Sequence, residues 1–191
     1  MSHLKELVYS DLARLLELEG KSHLRPNVWR LLVRLPHYNF FPSFVYRLSR
    51  ASFLAGVPLI PYFFTYLNVV MFGLEITPKC EIGPGVFMPH PFGTVIGARR
   101  VGKNATFVQG VMVGAITVGR EFDLAQRPLI GDNVVLNAGC KVLGGIELGD
   151  GVTVGANSLV IRSVPPNTTV MGVPAKVIFQ ESRDTSNPNN D

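Results

Sequence analysis

The sequence predicts a mainly β chain, a β-solenoid preceded by an α-helical segment, on three observations. Aliphatic residues recur every six positions through Ile130, Leu136, Val142, Leu148, Val154 and Val160, written out as IGDNVV LNAGCK VLGGIE LGDGVT VGANSL V. Sixteen of the 19 glycines lie between Gly73 and Gly155, interleaved with these aliphatics. Before residue 76 the spacing changes to three and four. A sustained six-residue period fits neither a helix nor an ordinary alternating strand, and is the mark of a solenoid in which each hexad makes one short strand and one sharp turn.

Taken in order, Leu4, Leu7, Val8, Leu12, Leu15 and Leu16 form the apolar stripe of a first helix, and SHLRPNVWRLLVRL continues in the same mode with a proline near its start,. The stretch from Ala51 to Leu74 carries no charge and is long enough to cross a bilayer, but Pro58 and Pro61 would break a spanning helix,. Between Gly20 and Leu74 there is no Asp or Glu, while Lys21, Arg25, Arg30, Arg34, Arg47 and Arg50 all fall there. Two readings of residues 20–74 stay open: peripheral contact with an anionic membrane surface, or an apolar segment docked on the rest of the protein.

From Ile76 the hexads begin, with Ile76, Ile82, Met88 as one run and Val95, Val101, Phe107, Val113 as the next. The first position of each hexad is expected to point into the solenoid axis. The fifth is small or branched, as in Val86, Ala105, Val111, Val134, Val152 and Ser158; Cys80 and Cys140 occupy it too, so both thiols are expected to be buried structural groups,. The rhythm breaks twice. Met88 to Val95 is seven residues, with the extra one in PHPFGT, and Val113 to Ile130 is seventeen, so a loop is inserted around ITVGREFDLAQRP. Excursions from a rigid repeat are where solenoids carry function, so the two breaks are candidate walls of one site. The expected organisation is a helical segment over 1–74, the β-solenoid over 75–180 and a polar, disordered tail over 181–191.

Composition narrows the function classes. The 191 residues are 47% hydrophobic and 17% charged with a net charge of +4, which suits a compact domain,. The basic residues alternate with apolar ones and no recognised nucleic-acid module is present, so no nucleic-acid partner is expected. The first twenty residues alternate charges with leucines and lack the apolar core of a secretory signal, so a cytoplasmic location is expected, at the inner face of the membrane if residues 20–74 touch lipid,. The two cysteines have no metal-ligand spacing and the repeat region holds a single histidine, too few imidazoles for a zinc centre; no metal is expected,.

The hexads from Ile130 to Val177, together with IGPGVFMPHPFGTVIGARRVGKNATFVQGVMVGA, resemble the hexapeptide-repeat acyltransferases, which are left-handed parallel β-helix enzymes, and within them the serine acetyltransferase branch and its polysaccharide O-acetyltransferase relatives. The resemblance covers about residues 74 to 180. It implies a homotrimer, acetyl-CoA as co-substrate in the groove between neighbouring prisms, and a histidine as general base, matched here by His90. A thioester is already activated, so an acceptor hydroxyl needs only a base to take its proton and donors for the oxyanion. By position, Gly114, Ala115, Ala138 and Ala156 match the small residues that face acetyl-CoA, and Lys176 and Arg162 its phosphate partners.

Two departures bear on the acceptor. Serine acetyltransferases have an aspartate before the histidine, where this chain has Pro89, and their RHPKI is represented by QRPLI, placing Gln126 and Arg127 as the acceptor-side residues. The groups that would hold serine's ammonium and carboxylate are thus reduced. The expected function is an acetyl-CoA-dependent O-acetyltransferase acting on a sugar or glycan hydroxyl in surface polysaccharide biosynthesis. Serine O-acetyltransferase in cysteine biosynthesis and a non-catalytic trimeric scaffold are the alternatives. Without the aspartate, His90 is expected to be oriented by a backbone carbonyl or by a neighbouring chain's carboxylate.

Overall fold

The computed structural model describes residues 2–117 and 123–180, so the expectation for the tail lies outside the described residues. Four helices come first: α1 (Ser2–Leu18), α2 (Val28–Arg34), α3 (Phe41–Leu54) and α4 (Ile60–Phe72). α1 buries Val8, Leu12, Leu15 and Leu16 in a small cluster with Phe40,. α2 starts where the Asn27 side chain accepts from the Arg30 N–H at 2.9 Å,. The prolines break the apolar stretch: α3 ends at Leu54, before Pro58, and Pro61 sits in the first turn of α4, where a missing N–H has no helical partner to lose,. α3 and α4 form an antiparallel pair. Asn68, late in α4, donates to the Pro42 carbonyl at 3.0 Å, and the Ser49 hydroxyl donates to the Pro61 carbonyl at 2.8 Å. Among the described residues no helix is long and apolar enough to cross a membrane.

The hexads build a three-sided prism. One face stacks Glu75–Ile76, Val95–Ile96, Met112–Gly114, Lys141–Leu143 and Leu159–Val160; a second stacks Glu81–Ile82, Arg100–Val101, Leu129–Ile130 and Glu147–Leu148. The third stacks Thr106–Phe107, Val135–Leu136, Thr153–Val154 and Thr168–Gly172, all in parallel register, and the antiparallel strand Ala175–Gln180 finishes it. Ile130, Leu136, Val142, Leu148, Val154 and Val160 all point inward and are buried, as the period predicts, and so do Cys80 and Cys140. Each buried aliphatic contributes about 1.5–3 kcal/mol, which gives the prism a continuous apolar axis.

The expected inward role of Val95 is corrected: Val95 is exposed and Ile96 is buried in its place, aligned with Ile76 and Val113. The interruption therefore runs eight residues, from Met88 to Ile96, and the next step, to Val101, is only five. The sequence period misplaced the break by one residue because Val95 and Ile96 are equally apolar; only pairing in register with Ile76 distinguishes them.

Tight corners need left-handed backbone, and asparagine and glycine share that duty. Asn104, Asn133, Asn157 and Asn167 have φ between 54° and 57°,. Gly139, at φ 71°, lies under Asn157, whose amide oxygen occupies the space a Cβ would need,. The first coil is closed by α3, whose Tyr46 hydroxyl donates to the Cys80 carbonyl at 2.7 Å and accepts from the Ile82 N–H at 3.2 Å. Arg50 donates to the Pro78 carbonyl at 2.8 Å. These bonds satisfy backbone groups that a bare prism end would leave open.

Candidate active site

His90 lies in the interruption, exposed, between half-buried Pro89 and buried Pro91. The prolines fix their φ angles, and the buried Met88 anchors the excursion at its start,. Among the described residues no carbonyl or carboxylate is hydrogen-bonded to the His90 ring, so the expected backbone carbonyl is not found among them. The His90 ring is stacked with that of Tyr38, between α2 and α3, whose centroid is 6.2 Å away and inclined by 15°,. Tyr38 also meets Phe92 at 6.2 Å, and Phe92 meets Phe72 at 6.0 Å. An apolar groove of 430 Å3 lined by Leu35, Pro36, Tyr38, Phe41, Met71 and Phe72 begins at this aromatic cluster. Sequence spacing could not find Tyr38, because 52 residues separate it from His90.

The second break folds back towards the first. Residues 118–122 lie outside the description, but its end, a 3-10 turn over Leu124–Gln126, packs on the prism at Gly145, where a Cβ would collide with the Ala125 carbonyl. Arg127 is half-buried and its Nη1 donates to the Gly97 carbonyl at 2.9 Å, one residue past the end of the first break. Partial burial lowers its pKa, yet a guanidinium remains charged at any working pH,. Gln126 is held within the loop: its Oε1 accepts from the Thr117 hydroxyl at 2.9 Å and its Nε2 donates to Asp123 at 3.0 Å. Gln126 and Arg127 are thus tied to this chain's own backbone and side chains.

Of the expected acetyl-CoA residues, Gly114 ends a strand of the first face, with open space where a Cβ would stand, and its carbonyl accepts from the Gly144 N–H at 2.9 Å. Ala115 follows it, half-buried. Ala138 lies in a turn and accepts from the Asn157 N–H at 2.8 Å, while Ala156 is exposed in the next coil's turn. Arg162 and Lys176, fourteen residues apart, are brought to one groove of 310 Å3, with Leu159, Val164, Pro165 and Val170 in its wall. Two exposed cations converging on one groove suit a phosphate. A larger hollow of 700 Å3, between α1, α3 and the second face, contains none of these residues. Four of its charges pair locally, Arg100 with Glu81 at 3.5 Å and Lys103 with Asp132 at 3.4 Å.

Comparison with known proteins follows this geometry. The pattern of the bacterial transferase hexapeptide (six repeats) matches residues 127–162. Residues 127–162 thus follow the repeat pattern that this family shares. It is 36% identical over 151 residues to serine acetyltransferase of Synechococcus elongatus, covering 78% of this chain and 61% of that one. The chain thus spans between half and two thirds of the length of the curated relatives it matches. Its fold is similar to Neisseria gonorrhoeae serine acetyltransferase, at a TM-score of 0.80 and 28% identity, covering 94% of this chain and 67% of that one. It is also similar to serine acetyltransferase of Brucella abortus in complex with coenzyme A, at a TM-score of 0.77 and 25% identity, over 93% and 68%. The prism is therefore the left-handed parallel β-helix of the hexapeptide-repeat transferases. The expected placement in the polysaccharide O-acetyltransferase branch finds no support in these relatives, all of which are serine acetyltransferases.

Proposed function

We propose that this chain is an acetyl-CoA-dependent O-acetyltransferase of the serine acetyltransferase type, with His90 as general base and L-serine as the acceptor. The observation that carries it is the likeness to serine acetyltransferases over nearly the whole fold, helices included, with the repeat region's one histidine exposed at the interruption. In the reaction a His90 ring nitrogen takes the hydroxyl proton as the acceptor oxygen bonds to the thioester carbonyl carbon. The tetrahedral intermediate then expels the thiolate, which receives the proton back from the imidazolium. The C–O bond forms, the C–S bond breaks and no protein nucleophile is used. Acetyl-CoA would lie along the prism past Gly114, Ala115, Ala138 and Ala156, with its phosphates at Arg162 and Lys176. A homotrimer would complete the groove, and a carboxylate of a neighbouring chain remains the group to orient His90.

A second acceptor reading, a sugar hydroxyl, is favoured by one observation. Arg127 and Gln126 are engaged with Gly97, Thr117 and Asp123, and Pro89 offers no charge, so among these residues little is aimed at an amino-acid head group. Thiol release from acetyl-CoA, measured with L-serine and with free sugars or glycans, decides between them. Turnover on serine at low millimolar concentration supports the first reading, and turnover on a sugar alone replaces it with the second. No release with any hydroxyl acceptor refutes both.

A further inference from the structure

The helical segment leaves many large apolar side chains uncovered. On α4, Tyr62, Phe63, Tyr66, Val69 and Val70 recur at three and four spacing and are all exposed, Phe63 by 59% and Tyr66 by 67%,. At the start of this face, Leu59 is 79% exposed with φ 64°, a left-handed conformation that a branched side chain avoids,. Val57, in the turn between α3 and α4, is exposed too. α2 repeats the pattern on a smaller scale: Trp29, 78% exposed, shares one side with Leu32 and Val33, and no residue of α2 is buried. Leu35 and Pro36 beyond α2, with Met71 and Phe72 at the end of α4, border the same apolar groove that reaches Tyr38.

We infer that this face seats the protein on the surface of an anionic lipid bilayer, with α2 and α4 lying in the interfacial plane. Charge selects the occupant. Arg25 and Arg30 flank the α2 face and make no ion pair among the described residues, and no Asp or Glu occurs from Lys21 to Gly73. A two-fold contact through this face would bring these arginines together with no carboxylate of the segment to meet them, since such a contact repeats its own residues. Lipid phosphates supply that missing charge. The aromatics fit as well: a tryptophan and two tyrosines combine apolar rings with polar atoms, the composition favoured at a lipid–water boundary. Both helices are too short to span, at seven and thirteen residues, which leaves the in-plane arrangement,.

Trp29 is the only tryptophan, so its emission reports directly on this face. The full chain is mixed with vesicles of phosphatidylcholine, and of phosphatidylcholine and phosphatidylglycerol at about two to one. The expected result is a blue shift, with quenching by brominated lipid, that is strong on the anionic vesicles and weak on the neutral ones. Phe63→Ser with Tyr66→Ser should weaken binding about tenfold or more, and Arg25→Glu with Arg30→Glu by about fivefold per charge, without altering the oligomer seen by sedimentation. His90→Ala should bind vesicles like the unaltered chain, so loss of the catalytic reading and loss of this one are told apart. The inference is overturned by an unshifted Trp29 on anionic vesicles or by binding that neither double variant weakens. It is equally overturned if Phe63→Ser with Tyr66→Ser splits the oligomer of a protein that ignores lipid, which would make the face a contact between copies.

Discussion

The Arg47 guanidinium donates from Nε and Nη2 to the two carboxylate oxygens of Asp11, at 2.9 and 3.0 Å, and each side chain is only 1% exposed. Arg47 also donates to the Ile82 and Gly83 carbonyls, and Asp11 accepts from the Gly85 and Val86 N–H groups at 2.9 and 3.0 Å. One ion pair thus ties α1 and α3 to the first coil that leads into the His90 excursion. Burial pushes the Asp11 carboxyl up, against the pull of Arg47 and the two backbone donors, and the Asp11 charge holds the Arg47 guanidinium up.

Breaking this pair strands a buried charge. Asp11→Asn should destabilise the fold by about 3–5 kcal/mol, read from urea unfolding, while a joint replacement of Asp11 and Arg47 by apolar residues of similar volume should cost less. A double variant as unstable as the single ones would show that the hydrogen bonds to the first coil, and not the charge pairing, dominate.

For catalysis, His90→Ala should lower turnover by about 10^2–10^4 with circular dichroism unchanged. Tyr38→Phe should keep most activity, since the hydroxyl makes no hydrogen bond among the described residues. Tyr38→Ala should lower kcat several-fold by freeing the His90 ring, with KM for acetyl-CoA unmoved,. Equal activity of Tyr38→Ala and the unaltered chain would remove Tyr38 from the site.

Arg162→Ala and Lys176→Ala share a groove, so each should raise KM for acetyl-CoA about three- to tenfold with kcat little changed, and added salt should shrink the difference,. A fall in kcat alone would place both cations away from the co-substrate.

Burial pushes the Cys80 and Cys140 thiols up to about 12. Alkylation needs the thiolate, so neither should react with iodoacetamide at pH 8 until the chain unfolds. The same shift sets an alkaline limit. Between the ordinary thiol range near 9 and about 12 the unfolded chain releases protons that the folded chain keeps, so stability falls as pH rises, by about 1.4 kcal/mol per pH unit per thiol,. Cys140→Ala should flatten that slope in denaturation curves measured above pH 9, and an unchanged slope would assign the loss to other groups.

Local rules carried far in this chain. The six-residue period determined the prism and its inward residues from Ile130 to Val160, because every hexad repeats the same inward position and turn, and its strand pairs in register with one eighteen residues away, a whole number of hexads,. Pro58 and Pro61 determined where the apolar stretch splits into two helices, since a missing N–H acts at its own position. The break around His90 was legible as well, though only as an interruption.

Tertiary structure decided the rest. Pairing with Ile76 and Val113 chose Ile96 over Val95 as the inward residue. Folding brought Tyr38 to His90, Asp11 to Arg47 and Arg162 to Lys176, and it left the apolar side of α4 facing outward. None of these leaves a periodic trace, because contacts between segments far apart in the chain depend on how rigid elements dock. Whether an apolar helical face is covered is likewise a property of its neighbours and not of its own residues.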